Sequence, residues 1–173
     1  MKVTQVTISS DLKLKNGIYI EIGVSTGSKS ELHKLVEESK PEHALKVMKE
    51  SSYHVTIAYS RKVPTGNYKP RNDKYRASIK DLEIWDTMDG YDGKHIIVAK
   101  LDSPELEAYW KYLKDTHNLT WDYPDYKPHI TLMCGDFDAK DLTDLKSKLV
   151  GFKINMEGEK FEDLDDSKAD VPD

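Results

Sequence analysis

The sequence predicts an α+β domain built on a mainly antiparallel sheet. Three observations carry this. Several short segments alternate apolar and polar residues, the pattern of a half-buried strand. A few capped, helix-periodic stretches lie between them. Some connections are too short for parallel crossovers and suit hairpins.

Taken in order, Gly17 to Val24 reads as a strand, with Ile18, Ile20, Ile22 and Val24 alternating against Tyr19, Glu21 and Gly23. Ser28 then reads as an N-cap for a helix whose stripe is Leu32, Leu35 and Val36. A second helical piece is expected after Pro41, carrying Ala44, Leu45 and Met48. Tyr53 to Ser60 is the next strand, and the segment after it, with Pro64, Gly66 and Pro70, is a loop. Strands near Ile79–Trp85 and Lys94–Leu101 flank a Met88-Asp89-Gly90 turn and form a hairpin. Ser103 caps and Pro104 opens a helix with the stripe Leu106, Tyr109, Trp110 and Leu113. The Trp121–Pro128 stretch is too rich in Pro and Asp for a helix and leads into a strand at His129–Cys134. A short helix with Leu142, Leu145 and Leu149 precedes a strand around Phe152–Met156.

The chain has 173 residues, which suits one domain, expected over residues 1–165 with a flexible acidic tail at 166–173. A domain of this size buries roughly 70% of its unfolded surface and needs no metal or disulfide staple. The single cysteine leaves no intramolecular disulfide or Cys-based zinc site. No apolar run is long enough to span a bilayer, and the first residues lack the apolar core of a signal peptide. A cytoplasmic protein is expected. The net charge of −5 argues against a general nucleic-acid coat protein. Charge is unevenly placed, however. Arg61 to Lys80 holds seven cations against Asp73 alone, a stretch that could either hold phosphates or simply solubilise a surface.

Two triplets carry the chemistry: His54-Val55-Thr56 and His129-Ile130-Thr131. Residues two apart in a strand share a face, so each triplet sets an imidazole beside a hydroxyl. Val55, Ile57 and Tyr59 are expected on the reverse, core-facing side of the first strand, and Ile130 and Leu132 on that of the second. One neutral imidazole can take a proton from an attacking oxygen while the other, charged, protonates a leaving oxygen. The hydroxyls can donate to phosphoryl oxygens where charge accumulates. That set suits phosphodiester cleavage without a metal, and no cofactor is called for. A lone His-x-Thr is common by chance; two copies, each backed by apolar residues, are not. His33, His43, His95 and His117 lack this context, and nothing has the spacing of a zinc site such as H-E-x-x-H.

Paired His-x-Thr triplets resemble the signature of the two-histidine phosphoesterase superfamily. The longer context is most similar to the anti-CBASS nucleases of T4-like phages. It is carried by His54-Val55-Thr56-Ile57-Ala58-Tyr59-Ser60-Arg61, by Asp122-Tyr123-Pro124-Asp125-Tyr126-Lys127-Pro128 before the second triplet, and by Gly17-Ile18-Tyr19. The resemblance implies a bilobal fold with the triplets facing across a central cleft. It implies a viral enzyme, acting in the cytoplasm of the infected host, that linearises the host's cyclic di- and trinucleotide alarm signals, such as 3′,3′-cGAMP, without a membrane or a stable nucleic-acid partner. A ribose 2′-OH would attack the adjacent phosphodiester through a 2′,3′-cyclic phosphate.

By the same resemblance His54, Thr56, His129 and Thr131 are catalytic, and Tyr19, Tyr126, Glu162 and Arg61 hold the ligand. The family's C-terminal tryptophan would fall at Lys168, and no tryptophan follows Trp121. Trp85 and Tyr126 are candidates to cover the base, although Trp85 equally suits a strand core. Two alternatives stay open: an enzyme acting on RNA 2′,3′-cyclic ends or 2′–5′ joins, and a non-catalytic cyclic-nucleotide sponge.

Overall fold

The computed structural model describes residues 14–87 and 90–164. The expected tail at 166–173 and the Met88-Asp89 part of the expected turn lie outside the described residues. In chain order the elements are β1 (Ile18–Val24), α1 (Thr26–Ser39), β2 (Ala44–Val47), a 3₁₀ turn (Glu50–Ser52), β3 (His54–Ser60), β4 (Tyr75–Asp86), β5 (His95–Asp102), α2 (Pro104–His117), β6 (His129–Gly135), α3 (Ala139–Leu149) and β7 (Lys153–Glu162). The strands form one antiparallel sheet in the order β2-β6-β5-β4-β7-β1-β3. This is the α+β class that the alternating segments predict.

Alternation decides which face each strand buries. Ile18, Ile20 and Ile22 of β1 join Ile79 and Leu82 of β4 in the main core. Ile97, Ala99 and Leu101 of β5 and Ile130 of β6 extend it. Leu32 and Val36 of α1, Leu106, Tyr109 and Leu113 of α2, and Leu145 and Leu149 of α3 cover that face. Each fully buried Leu or Ile is worth about 1.5–3 kcal/mol, which holds the three helices on this side. The opposite face carries the motif residues together with two smaller apolar clusters, around Tyr19 and Tyr59 and around Ile96 and Val98. Ser103 caps α2 as expected: its Oγ accepts from the Leu106 N–H (3.2 Å) and donates to the Arg76 carbonyl (2.7 Å), tying the helix to β4.

Four expectations are corrected. The segment after Pro41 is strand β2, because Lys46 and Val47 pair with Cys134 and Met133 along β6; pairing with an open edge overrides the helical propensity of Ala, Leu and Met. Ser25, not Ser28, sits at the N-cap of α1. Ser28 is a turn inside, buried, where its Oγ accepts from the Asn155 N–H (2.9 Å). In α2 the fourth buried position is His117, while Trp110 is half-buried. Tyr59 does not lie on the core side but packs with Tyr19 and Leu164.

The last correction has a cause that repeats. Ile20 pairs with Ala58 and Glu21 with Thr56, so Ile57 is an extra residue. Ile97 pairs with Met133 and Val98 with Thr131, so Leu132 is another. Each is a β-bulge placed directly after a motif threonine, and both extra residues are fully buried. A bulge resets the two-residue period, which sends Ala58 into the core and turns Tyr59 to the motif face. A third irregularity sits in β7, where Gly158 and Glu159 together oppose Ile22. Gly158 adopts φ +85°, a conformation glycine takes without strain. Past it β7 runs on to Glu162, beyond the expected Met156, and aligns Glu162 with Tyr19.

Candidate active site

The sheet brings its two motif strands together. β3 is the last strand at one end and β6 the next to last at the other, yet β3 and β6 lie in contact. The sheet therefore curls until the two strands that carry the triplets meet. Tyr126 spans the gap: from the lead-in to β6 its hydroxyl donates to the Thr56 carbonyl on β3 (2.8 Å). Its ring stacks on Trp110 (centroids 5.3 Å apart, 5° between planes) and meets Trp121 edge-on (5.6 Å, 77°). Burial pushes the Tyr126 phenol well above its ordinary range.

The two histidines are held in the same way. His54 Nδ1 lies 2.8 Å from the Ser52 carbonyl, and His129 Nδ1 lies 2.8 Å from the Lys127 carbonyl. A carbonyl only accepts, so Nδ1 carries the proton in both rings. Proton exchange is thereby confined to Nε2 in both. His129 is 8% exposed and His54 half-buried, so the pair is not symmetric in access to water.

The threonines differ too. Thr56 Oγ1 shares a hydrogen bond with the Tyr19 hydroxyl (3.0 Å), which places Tyr19 behind the motif residue. Thr131 Oγ1 is buried with no hydrogen-bond partner among the described residues. A hydroxyl buried without a partner costs roughly 1–3 kcal/mol, and such groups are retained where a ligand supplies the missing bond.

The remaining sequence-predicted residues, Arg61 and Glu162, lie at the ends of β3 and β7. Arg61 grips Asp122 with a two-pronged bond (Nε–Oδ1 3.1 Å, Nη2–Oδ2 2.8 Å) and lies over the Tyr59 ring (5.7 Å). This pair ties the end of β3 to the Asp122–Pro128 lead-in. Glu162 is exposed, opposite Tyr19 in register. One small apolar cluster apart from the main core holds Tyr19, Tyr59 and Leu164, with Trp121 packed against them. Another holds Ile96, Val98 and Cys134, with Met48, Trp85 and Tyr91 around them.

The sequence left Trp85 open between covering a base and filling a strand core, and did not bring out its meeting with His129 or the partners Glu83 and Lys100. The Trp85 ring meets the His129 ring with centroids 4.5 Å apart and planes at 64°. The Trp85 indole N–H donates to Glu83 Oε1 (2.8 Å), and Lys100 Nζ donates to Glu83 Oε2 (3.0 Å). Burial pushes the Glu83 carboxyl up, but the bonds from Trp85 and Lys100 outweigh it and hold the carboxyl below its usual range. A signal existed: Asp81, Glu83 and Trp85 alternate on the face that Leu82 and Ile84 leave. Trp85 therefore belongs to the cleft wall and not to the main core.

The other histidines act locally. His33 meets the Tyr53 hydroxyl (3.3 Å), His95 Nδ1 accepts from the Phe137 N–H (3.1 Å), and His117 Nδ1 donates to the Thr65 carbonyl (2.6 Å). His43 pairs with Asp141 (3.0 Å), and with Asp138 these are the one group among the described residues whose ligand atoms could share a cation. Asp138 and Asp141 are already engaged in the capping box of α3.

With this geometry in place, comparison with known proteins is direct. Residues 16–171 match the family model described as "Anti-CBASS protein Acb1". The protein of that name from Vibrio phage KVP40 is 35% identical over 123 residues, covering 69% of this chain and 74% of that one. The one from Acinetobacter phage Ac42 is 35% identical over 114 residues (65% and 69%), and that from Enterobacteria phage T4 is 41% identical over 81 residues (46% and 48%). In fold, the chain is similar to the crystal structure of TT0787 of Thermus thermophilus, with a TM-score of 0.55, 13% identity, and coverage of 83% and 86%. The resemblance drawn from the motif blocks is borne out, and the chain belongs to the anti-CBASS protein Acb1 family.

Proposed function

We propose that this protein is a phosphodiesterase that opens cyclic di- and trinucleotide messengers in the infected cell and so blunts CBASS immunity. The observation that carries the reading is the matched pair of Nδ1–carbonyl bonds, which sets both imidazoles to exchange protons through Nε2. The anti-CBASS role is supported by the family to which the chain belongs. No helix among the described residues is long and apolar enough to cross a membrane, which agrees with action in the host cytoplasm.

In the reaction one imidazole accepts the proton of a ribose 2′-OH as its oxygen bonds to the adjacent phosphorus. The P–O5′ bond breaks, and the second imidazole gives its proton to the departing O5′. The ring opens to a linear product ending in a 2′,3′-cyclic phosphate, which a water can then open to a terminal phosphate. Thr131 Oγ1, with its unmet hydrogen-bonding capacity, donates to a non-bridging oxygen as charge builds there. Thr56, held by Tyr19, is placed to do the same from the other side. Tyr19, Tyr126, Glu162 and Arg61 shape the ends of the cleft.

The test is incubation with 3′,3′-cGAMP and with RNA ending in a 2′,3′-cyclic phosphate, in EDTA, with products followed by chromatography. Linear product from the cyclic dinucleotide, lost by a factor of about 10³ or more in His129→Ala, is expected. Turnover of the RNA end alone would move the assignment to RNA repair. Tight retention of unchanged cyclic ligand would make the protein a sponge, and activity abolished by EDTA would end the metal-independent mechanism.

A further inference from the structure

We infer that Glu83 is a positioning residue for His129, acting through Trp85 and Lys100 to hold the imidazole in place and keep it supplied with a proton. The inference rests on the phosphodiesterase reading for its catalytic consequence, but not for its physical content.

Lys100 of β5 stands directly opposite His129 of β6, so its ammonium lies on the same face as the imidazole. Left alone, that cation would repel an imidazolium. Glu83 of β4 intercepts it: Glu83 Oε2 takes Lys100 Nζ at 3.0 Å, and the Lys100 side chain is 19% exposed. The other carboxylate oxygen takes the indole N–H of Trp85 at 2.8 Å. Trp85 in turn reaches across β5 to lie 4.5 Å from the His129 ring. A cation within about 6 Å of an indole centroid gains from the ring's electron-rich cloud. A carboxylate drawing on the indole N–H enriches that cloud. One carboxylate therefore performs three tasks: it neutralises the cation opposite the histidine in register, fixes the ring that packs on the histidine, and adds a negative charge on the same face of the sheet.

Neighbouring elements bring further charged groups to this part of the molecule. From β4 comes Asp81, which is taken by Lys146 (3.2 Å). The lead-in adds Lys127, β2 adds Lys46 opposite Cys134, and β3 adds His54. Glu83 and Trp85 both lie on β4, and it is His129 that Trp85 packs against. This placement gives His129 the role of the imidazole that enters the reaction charged, and His54 the role of the base.

The experiment uses Glu83→Gln, which keeps an acceptor for the indole but removes the charge. The titration of His129 and His54 is followed by the NMR signals of the ring Cε1–H groups. The His129 midpoint should move to lower pH by about half a unit to one unit, while the His54 midpoint stays in place. With cyclic dinucleotide, the alkaline limb of the rate profile should move down by the same amount. kcat at pH 8 should fall about three- to ten-fold, with KM little changed and the loss recovered at lower pH. Trp85→Phe should retain packing, lose the link to Glu83 and give a smaller shift in the same direction. An unmoved His129 midpoint in folded Glu83→Gln would overturn the inference, as would equal shifts in both histidines. If wild-type protein opens no cyclic dinucleotide, the proposed function fails while the titration still judges Glu83.

Discussion

Tyr126→Phe tests how the cleft is held together. The substitution removes one atom, the hydroxyl oxygen that donates to the Thr56 carbonyl at 2.8 Å, and leaves the ring stacked on Trp110 and edge-on to Trp121. Thr56 lies in the outermost strand, so the hydroxyl joins the lead-in to the second motif to the backbone of the first. A neutral intramolecular hydrogen bond is worth about 1 kcal/mol net, and stranding a part-buried carbonyl raises the cost to about 1–2 kcal/mol. For a chain of this length 1 kcal/mol corresponds to about 2–4 °C, so Tm should fall by about 2–8 °C in a calorimetric or circular-dichroism melt. The larger effect should be on rate. A loss of spacing of even 1 Å between the imidazoles can cost about 10²-fold, so turnover should fall about ten- to a hundred-fold while histidine titration is unchanged. A variant with wild-type Tm and wild-type turnover would refute the claim that Tyr126 sets the separation of the two motifs.

Three further outcomes follow from other parts of the molecule. Thr131→Val should lower turnover about ten- to a hundred-fold yet leave the urea midpoint unchanged or higher, because the hydroxyl it removes is buried without a protein partner among the described residues; parallel losses in both assays would contradict this. Glu159→Ala should cost about 2–4 kcal/mol in urea unfolding, since Glu159 Oε2 accepts from the buried hydroxyls of Tyr68 (2.6 Å) and Tyr109 (2.8 Å), and an unchanged midpoint would show that these bonds are dispensable. His43 is held above its ordinary value by the hydrogen bond and then the charge of Asp141, so its stabilising contribution is complete below the unfolded histidine value of about 6.5 and fades as pH rises through the folded one. His43→Gln should therefore lower Tm more at pH 5.5 than at pH 8.5, and a gap that grows toward alkaline pH would reverse the sign of the argument.

What could be read from the sequence follows a physical line. Strands with one buried face declare themselves by alternation, and so β1, β3, β5 and β6 were legible with His54 beside Thr56 and His129 beside Thr131. The bulges were written there too, as the doubled apolar pairs Ile57-Ala58 and Leu132-Met133, but a two-residue period has no place for them. That is why Tyr59 was assigned to the wrong face. β2 escaped because four residues on an edge show little pattern, and Ala44, Leu45 and Met48 individually favour helix. The meeting of Trp85 with His129 joins residues far apart in the chain across an intervening strand. No local pattern encodes such a contact, and only the sheet order supplies it.

The twin bonds from Nδ1 to a carbonyl two residues upstream have an evolutionary consequence. The groups that fix the tautomers belong to the main chain of Ser52 and Lys127, so selection on them acts on conformation and not on amino-acid identity. A change of either side chain leaves that carbonyl in place. What must be preserved is the path of the chain into each strand, to which the neighbouring Pro128 contributes before one motif and the 3₁₀ turn Glu50–Ser52 before the other. Distant members of the family should thus share this entry geometry even where the letters around the motifs no longer align.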